Sequence, residues 1–263
     1  MYRWDPEDYH SHSPEQQKWG LELLNKIVLA GGERVLDIGC GDGRLTAEIA
    51  LRVPRGSVLG IDKSHRMVRF AHENCHPGVF ANLTFLALDA NDLSFHREFD
   101  VIFSNAVLHW ISPHLPLLRR IEESLRKGGM FAAQMGGKGN ASGILNGVHD
   151  LIGTRKWAPY FRGFSPPYTF YSPEEYGKLL AEAGLTVKRI ELIDKEMVYN
   201  GSDGLSAWIR TTWLPYTRRV PDTMQADFVE EIVDTFISNC RLRRDGIIPV
   251  HMVRLEFEAV REL

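Results

Sequence analysis

Residues Val35-Leu36-Asp37-Ile38-Gly39-Cys40-Gly41-Asp42-Gly43 hold the greatest concentration of chemistry in the chain, because an apolar strand breaks directly after an acid into a turn with three alternating glycines. Glycine at 39, 41 and 43 lets the backbone turn sharply and lets a bulky ligand lie against main-chain atoms. Asp37, at the carboxyl end of that strand, favours a cationic or amine-bearing ligand over a pyrophosphate. A nicotinamide fingerprint of the Gly-x-Gly-x-x-Gly type is also a poor match, since the position that must be small is Arg44.

Three further strand-like runs end in polar residues. Ser57 to Ile61 ends in Asp62 and then Lys63, and Asp62 offers an acceptor pair suited to vicinal ribose hydroxyls. Leu83 to Leu88 ends in Asp89 and Ala90, followed by Asn91 and Asp92, a set able to hydrogen-bond an adenine amino group. Phe99 to Ser104 ends in Asn105. In an open parallel sheet the carboxyl ends of successive strands line one crevice, so these residues converge on one nucleoside-like ligand. Met67, early in the following helix, is a core residue with an edge contact to adenine as its functional alternative.

With these residues in order, the chain resembles the class I S-adenosylmethionine-dependent methyltransferases. The resemblance implies S-adenosyl-L-methionine as cofactor and S-adenosyl-L-homocysteine as product. Carried over by position, it puts Asp37, Gly39, Cys40, Gly41, Gly43, Asp62, Lys63, Met67, Asp89, Ala90 and Asn105 around the cofactor.

Two other features resemble one branch of that superfamily: Leu108-His109-Trp110 after the fourth strand, and Tyr9-His10-Ser11-His12-Ser13-Pro14-Glu15-Gln16-Gln17 preceded by Trp4-Asp5-Pro6. The branch contains trans-aconitate methyltransferase and insect juvenile hormone acid methyltransferase, with the malonyl-carrier-protein methyltransferase of biotin synthesis more distant. It implies methyl transfer to a carboxylate of a small or medium-sized molecule, with Gln16, His109 and Trp110 as the catalytic set. Trp110 and Gln16 would hold the acceptor carboxylate, Gln17 being the alternative by spacing, and His109 would add a contact or move a proton. Glutamine here, in place of the basic residue of the trans-aconitate enzymes, argues against a tricarboxylate. The resemblance covers most of residues 4 to 136 and thins beyond.

A carboxylate acceptor suits such residues. With an ordinary pKa near 4 it is already an anionic nucleophile at neutral pH, so placement matters more than a base, and placement alone is worth roughly 7–11 kcal/mol. Each residue also has a structural reading. Asp37 would cap a helix, Asp62 and Asp89 would be turn carboxylates, Gln16 would complete a capping box with Ser13, and Trp110 would cover a sheet edge. Two other functions stay open: methylation of a different small-molecule or macromolecular acceptor, and cofactor binding without turnover. Asn105-Ala106-Val107-Leu108 lacks the Asn/Asp-Pro-Pro-Tyr pattern of enzymes acting on exocyclic amines.

The surrounding elements read as doubly wound α/β grammar. A helix opens at Ser13-Pro14-Glu15-Gln16 and continues through Ile27 and Val28 to Gly31-Gly32. Strands and helices alternate through Arg44 to Arg52, Ser64 to Cys75 and Leu115 to Leu125, and a fifth strand spans Met130 to Met135. A second capping box, Ser172-Pro173-Glu174-Glu175, starts a helix that stops at Gly184. A strand from Thr186 to Ile193, helices over Leu205 to Trp213 and Gln225 to Cys240, and a strand from Val253 to Val260 follow. The resemblance implies a seven-stranded, mainly parallel sheet of order 3-2-1-4-5-7-6 with an antiparallel final pair and a helical cap. The division expected is 1–136 for the Rossmann-like core with its N-terminal helix, 137–185 for a cap insertion and helix over the crevice, 186–200 for a core strand, 201–248 for the helical cap and 249–263 for the last strand.

Composition agrees with a folded enzyme. The chain has 263 residues, 44% hydrophobic and 25% charged, enough for one large core with an elaboration. Cys40, Cys75 and Cys240 are scattered, so neither a metal site nor a disulfide framework is expected, and a cytoplasmic setting follows. A formal net charge of -3 gives no general affinity for nucleic acid, and no apolar run suggests a membrane span. The expected partner is a small-molecule carboxylic acid, and the expected assembly a monomer or weak homodimer. Arg218-Arg219 and Arg241, Arg243 and Arg244 read as solvated arginines, with recruitment of an acidic substrate as the alternative.

Overall fold

The computed structural model describes residues 6–7, 14–75, 78–239 and 246–262. In chain order the elements of the first half are α1 (Pro14–Leu24), β1 (Arg34–Ile38), α2 (Arg44–Arg52), β2 (Ser57–Asp62), α3 (His65–Asn74), β3 (Leu83–Ala87), β4 (Phe99–Asn105), α4 (His114–Ser124) and β5 (Leu125–Gly136). There follow α5 (Ser142–Ile152), α6 (Pro173–Glu182), β6 (Leu185–Asn200), α7 (Gly201–Thr212), α8 (Leu214–Thr217), α9 (Gln225–Asn239) and β7 (Ile247–Arg261).

The seven strands form one sheet of order β3-β2-β1-β4-β5-β7-β6, the order that the family resemblance implies. β1 runs parallel to β2 and β4, β2 to β3, and β4 to β5, whereas β7 enters antiparallel beside β5 with Met130 opposite Val260 and Gly136 opposite Arg254. The central strands are covered on both faces, which is why Val35, Leu36, Ile38, Val101, Ile102 and Phe103 form near-continuous apolar runs. One face buries Leu36, Ile102, Leu117, Leu118 and Phe131 together, and the other Leu23, Leu24, Val35, Ile49 and Phe103. Phe131 and Phe257 meet edge to face at 5.1 Å across β5 and β7, a contact worth about 1 kcal/mol beyond its buried area.

The chain divides into two compact units. Of the described residues, the sheet unit comprises those within 6–138, 168–193 and 254–262, and the second those within 139–167 and 194–253. Within the second, α5, α7 and α9 bury Ile144, Val148, Leu205, Ile209, Phe228, Ile232 and Val233. Trp157 lies against Phe228 at 4.8 Å and donates its indole N–H to Glu231 Oε2 at 2.7 Å. The helix α6 belongs to the sheet unit, where Tyr176 and Leu180 are buried in the same cluster as Phe257.

Several ends differ from the sequence reading. α1 closes at Leu24 rather than near Val28, whose side chain is 92% exposed and gives no reason to continue the helical face. β5 begins at Leu125, so Lys127-Gly128-Gly129 lies inside the strand's bounds instead of before it; Gly128 takes φ 76°, and the pairing with β4 shifts register between Phe99 and Val101. Β-bulge geometry of this kind is hidden in a glycine pair that reads equally well as a helix stop. The capping box at Ser172 is present as read: the Glu175 N–H donates to Ser172 Oγ at 3.3 Å and the Ser172 N–H to Glu175 Oε2 at 2.8 Å. Ser13 of the first capping box, together with Trp4, Tyr9, His12, Cys240 and the Arg241, Arg243 and Arg244 group, lies outside the described residues.

The cap at α6 is testable in isolation from the site. Ser172→Ala removes the acceptor for one orphan helix N–H and is expected to lower unfolding free energy by about 1 kcal/mol. Urea denaturation should show the shift as a lower midpoint at unchanged slope.

Candidate active site

The turn after β1 is built by three left-handed glycines, with φ 78° at Gly39, 54° at Gly41 and 84° at Gly43. A side chain on Gly39 would run into Val107, so position 39 excludes any larger residue on steric as well as conformational grounds. The N–H groups of Gly39 and Cys40 donate to the Ile61 carbonyl at 2.8 and 2.9 Å, and the Gly41 N–H donates to Asp62 Oδ2 at 3.2 Å. The turn is thereby locked to the end of β2, and Asp62 is fixed on its other oxygen by the Ser64 N–H at 2.8 Å.

Asp37 is 3% exposed behind this turn and accepts a hydrogen bond from Thr46 Oγ1 at 2.7 Å. Burial drives its pKa from an ordinary 3.8 to about 7, with the Thr46 bond opposing and the nearby Asp62 charge adding to the rise. Burial likewise raises Asp62, against hydrogen bonds from Ser64 and Gly41 and the Lys63 charge, with Asp89 pushing the same way as burial. Cys40 is buried and its thiol is pushed well above the usual range, first by burial and then by Asp37 and Asp62, so it is no nucleophile. A buried and a half-buried carboxylate at adjacent strand ends, Asp37 and Asp62, form a site that a cation would relieve.

The other predicted positions fall around the same ends. Asp89 Oδ1 accepts from the Asn91 backbone and side chain at 2.9 and 3.1 Å, which starts the short helical turn containing the buried Ala90. Ser64 caps α3 by accepting from the Met67 N–H at 3.4 Å, and the Met67 side chain is buried. Asn105 ends β4, and its Nδ2 donates to the Gln16 carbonyl at 3.0 Å, joining α1 to the strand. Both Asn105 Oδ1 and Gln16 Oε1 are buried acceptors that receive no hydrogen bond. Buried acceptors of this kind call for a donor, and an amine supplies one. Gln17 is engaged elsewhere: its Oε1 accepts from Arg44 Nη1 at 2.9 Å, while Arg44 also pairs with Asp42 at 2.6 Å.

Beyond Asn105 the backbone turns through Ala106 at φ 60°, and Leu108–Trp110 forms one 3₁₀ turn. His109 is buried, and its Nδ1 accepts the Gly136 N–H at 3.3 Å, which places its proton on Nε2. Burial first, then the Arg254 charge and His114, hold its pKa well below the usual range, so the ring is neutral. Trp110 lies 5.1 Å from the His109 ring and meets Tyr168 edge-on at 5.5 Å; Phe170 stacks on Tyr168 at 4.9 Å. The structure thus brings together Gln16, Asn105, the glycine turn, Asp37 and Asp62 at one set of strand ends, with His109 and Trp110 following directly from Asn105.

Sequence reasoning did not single out Thr46, Gln134, Tyr168, Phe170 or Arg254. The aromatic density of 156–171 was a signal for Tyr168 and Phe170, whereas Gln134 and Arg254 look like ordinary strand residues until β7 is seen beside β5.

Comparison with known proteins agrees with this geometry. A family model described as a methyltransferase domain matches residues 29–152. A trans-aconitate 2-methyltransferase of Deinococcus radiodurans is 33% identical over 86% of this chain and 87% of its own length. A protein of the same name from Mycolicibacterium gilvum is 30% identical over 93% of each chain. The chain belongs to the S-adenosylmethionine-dependent methyltransferases. Solved structures of similar fold include the YcgJ protein of Bacillus subtilis, with TM-score 0.66 at 18% identity over 94% of this chain and 99% of that one. Phosphoethanolamine N-methyltransferase 2 of Haemonchus contortus, solved with S-adenosyl-L-methionine, gives TM-score 0.58 at 21% identity over 94% of this chain and 53% of that one.

The methyltransferase's residues fit that cofactor. The left-handed glycines hold the turn in the form that presents main-chain atoms, the orphaned Asn105 and Gln16 oxygens suit an amino group, and the paired acids suit a sulfonium nucleoside. Among the described residues no helix is long and apolar enough to cross a membrane.

The raised pKa of Asp37 has a sign that can be checked. Below about pH 4 the carboxyl is protonated in folded and unfolded chains alike and costs nothing; between the ordinary 3.8 and about 7 the folded state holds the extra proton, so its stability falls as pH rises and the full cost is reached above 7. Asp37→Asn, which keeps an acceptor for Thr46, is therefore expected to stabilise the methyltransferase by about 2–4 kcal/mol at pH 8 and not at pH 4. The same variant should lose affinity for S-adenosylmethionine, and in the unaltered protein that affinity should strengthen as pH rises through 7. Chemical denaturation and calorimetry across pH 4–8 read both.

Proposed function

We propose that this methyltransferase esterifies a carboxylate of a small or medium-sized acid, producing a methyl ester and S-adenosylhomocysteine. One observation carries the reading: the imidazole beside Trp110 has its basic nitrogen occupied by the Gly136 N–H. A ring so engaged is poorly placed to take a proton from an incoming nucleophile, which supports an acceptor that arrives already ionised. A carboxylic acid does so at neutral pH, whereas a phenol near 10 or a protonated alkylamine does not. The relatives named trans-aconitate 2-methyltransferase, matched along about nine-tenths of their length, support the same acceptor class.

When bound, S-adenosylmethionine supplies an electrophilic methyl carbon on a positively charged sulfur. Asp37, the Gly39–Gly43 turn, Asp62 and Asp89 hold the amino acid, ribose and adenine portions, with Lys63, Met67 and Ala90 completing the wall and Asn105 accepting from the amine. Gln16 and the Trp110 indole hold the acceptor carboxylate through neutral donors, which orient the oxygen without damping its charge as a strong cation would. His109 adds its Nε2–H as a third neutral donor; its engaged Nδ1 excludes the proton-shuttle role. Tyr168 and Phe170, stacked beside Trp110, exclude water from the oxygen to be methylated. One O–C bond forms as the C–S bond breaks, with no net proton transfer.

Purified protein given S-adenosylmethionine and a panel of acids that includes trans-aconitate should release S-adenosylhomocysteine and a base-labile methyl group; base-stable incorporation would exclude an ester. Trp110→Phe keeps the aromatic body and removes the N–H, and is expected to lower kcat/KM by about 10- to 100-fold. S-adenosylhomocysteine affinity should change less than about twofold. A comparable loss of cofactor binding would place the indole in the wrong subsite.

A further inference from the structure

We propose that Val107 is a positioning residue for methyl transfer, seated in the notch that Gly39 leaves so that the turn carrying His109 and Trp110 is held against the glycine turn of the cofactor; this rests on the reading above that the Trp110 turn receives the acceptor. The two turns leave neighbouring strands, β1 and β4, whose parallel pairing runs from Val35 opposite Val101 to Asp37 opposite Phe103. Beyond that last pair, side chains join the strand ends. Ser104 Oγ donates to the Ile38 carbonyl at 2.9 Å, and Val107 reaches over Gly39. Its two methyl carbons lie 2.1 and 2.6 Å from the point where a Cβ on Gly39 would stand, so the valine fills the space that the glycine vacates.

The contact is stiff on both sides. Gly39 is left-handed at φ 78°, and its N–H is committed to the Ile61 carbonyl at 2.8 Å. Val107 is branched at Cβ, which leaves its side chain few rotamers. Its backbone is fixed as well: the Ala106 N–H donates to the Gln134 carbonyl at 2.8 Å, and the Val107 carbonyl accepts the Trp110 N–H at 2.9 Å. Ala106 stands at φ 60°, a conformation that residues other than glycine seldom adopt and that the surroundings must impose. A knob locked over Gly39 is one such constraint, and His109 and Trp110 follow it within three residues, so a displacement of Val107 passes to both.

The chemistry gives this contact a use beyond packing. Transfer requires oxygen, methyl carbon and sulfur in line, and a misplacement of about 1 Å arising away from the reacting atoms can cost about 100-fold in rate. The separation of the two turns sets that alignment. Cofactor binding also quiets the glycine turn, and a knob packed on it extends the order to residues 106–110, which lowers the ordering cost left for the acceptor.

Hydrogen exchange on the full chain reads this coupling without an acceptor. S-adenosylhomocysteine should slow exchange of the 106–111 amides about fivefold or more in the unaltered protein and less than about twofold in Val107→Ala, with its own affinity within about threefold. With the best acid of the panel above, Val107→Ala should lower kcat about 10- to 100-fold and leave KM within about threefold. Val107→Leu, which keeps apolar bulk but moves the branch off Cβ, should lose rate likewise, and Val107→Thr, which keeps the branched shape, should recover most of it. Val53→Ala, a buried valine at the opposite end of α2 from the turn, controls for lost packing and should leave kcat unchanged. Equal protection by S-adenosylhomocysteine in Val107→Ala and the unaltered protein, parallel loss of cofactor affinity, an equal rate loss in Val53→Ala, or no recovery in Val107→Thr would each overturn the assignment. Esterification of no acid by the unaltered protein would instead overturn the carboxylate reading, and the exchange measurement would still decide the role of Val107.

Discussion

The site depends on a carboxylate kept where water cannot solvate it. Asp37 is sealed behind a turn that admits no side chain at Gly39, and the turn is itself pinned to β2 through the Ile61 carbonyl and Asp62. Three otherwise separate requirements meet there. The parallel pairing of β1 with β2 brings Asp62 within reach of the Gly41 N–H, the left-handed glycines bring the backbone round, and α2 starts at Arg44 so that Thr46 can donate to Asp37. Loss of any one would leave a buried acid unsatisfied, so the fold is organised to hold a destabilised charge in wait for a positively charged ligand.

How far this could be read from residues alone follows from the range of the interactions. The glycine turn, the acids after β2 and β3, and the Ser172 capping box are determined within a few residues, and the structure shows each in local hydrogen bonds, Asp62 with Ser64, Asp89 with Asn91 and Ser172 with Glu175. The alternation of strand and crossover helix made the doubly wound class legible, whereas the strand order with its antiparallel final pair came from the family resemblance. Spacing favoured Gln16 over Gln17 but left both open, since only packing engages the Gln17 side chain with Arg44 and brings the Gln16 backbone carbonyl to Asn105. The Gly128-Gly129 pair misled because the residues of a helix stop and of a bulged strand are the same.

Arg254 was illegible for a deeper reason. Its surroundings come from α1, β5 and the 3₁₀ turn after β4, segments far from β7 in the chain, and they assemble only because β7 inserts antiparallel between β5 and β6. Had the strand run the other way, its alternation would bring different residues to the carboxyl end of β5. The topology thus delivers a buried arginine against Trp19 and Gln134, on a sheet whose first two strands carry acids at their carboxyl ends.

The charge is distributed unevenly along the strand ends. Acids at the ends of β1 and β2 suit a positively charged cofactor, while the surroundings of His109 carry the positive charge of Arg254. His109 stands at the border between them. Ionised, it would pair with the acceptor and repel the sulfonium; buried beside Arg254 and engaged by Gly136, it is held neutral and keeps only its directional N–H.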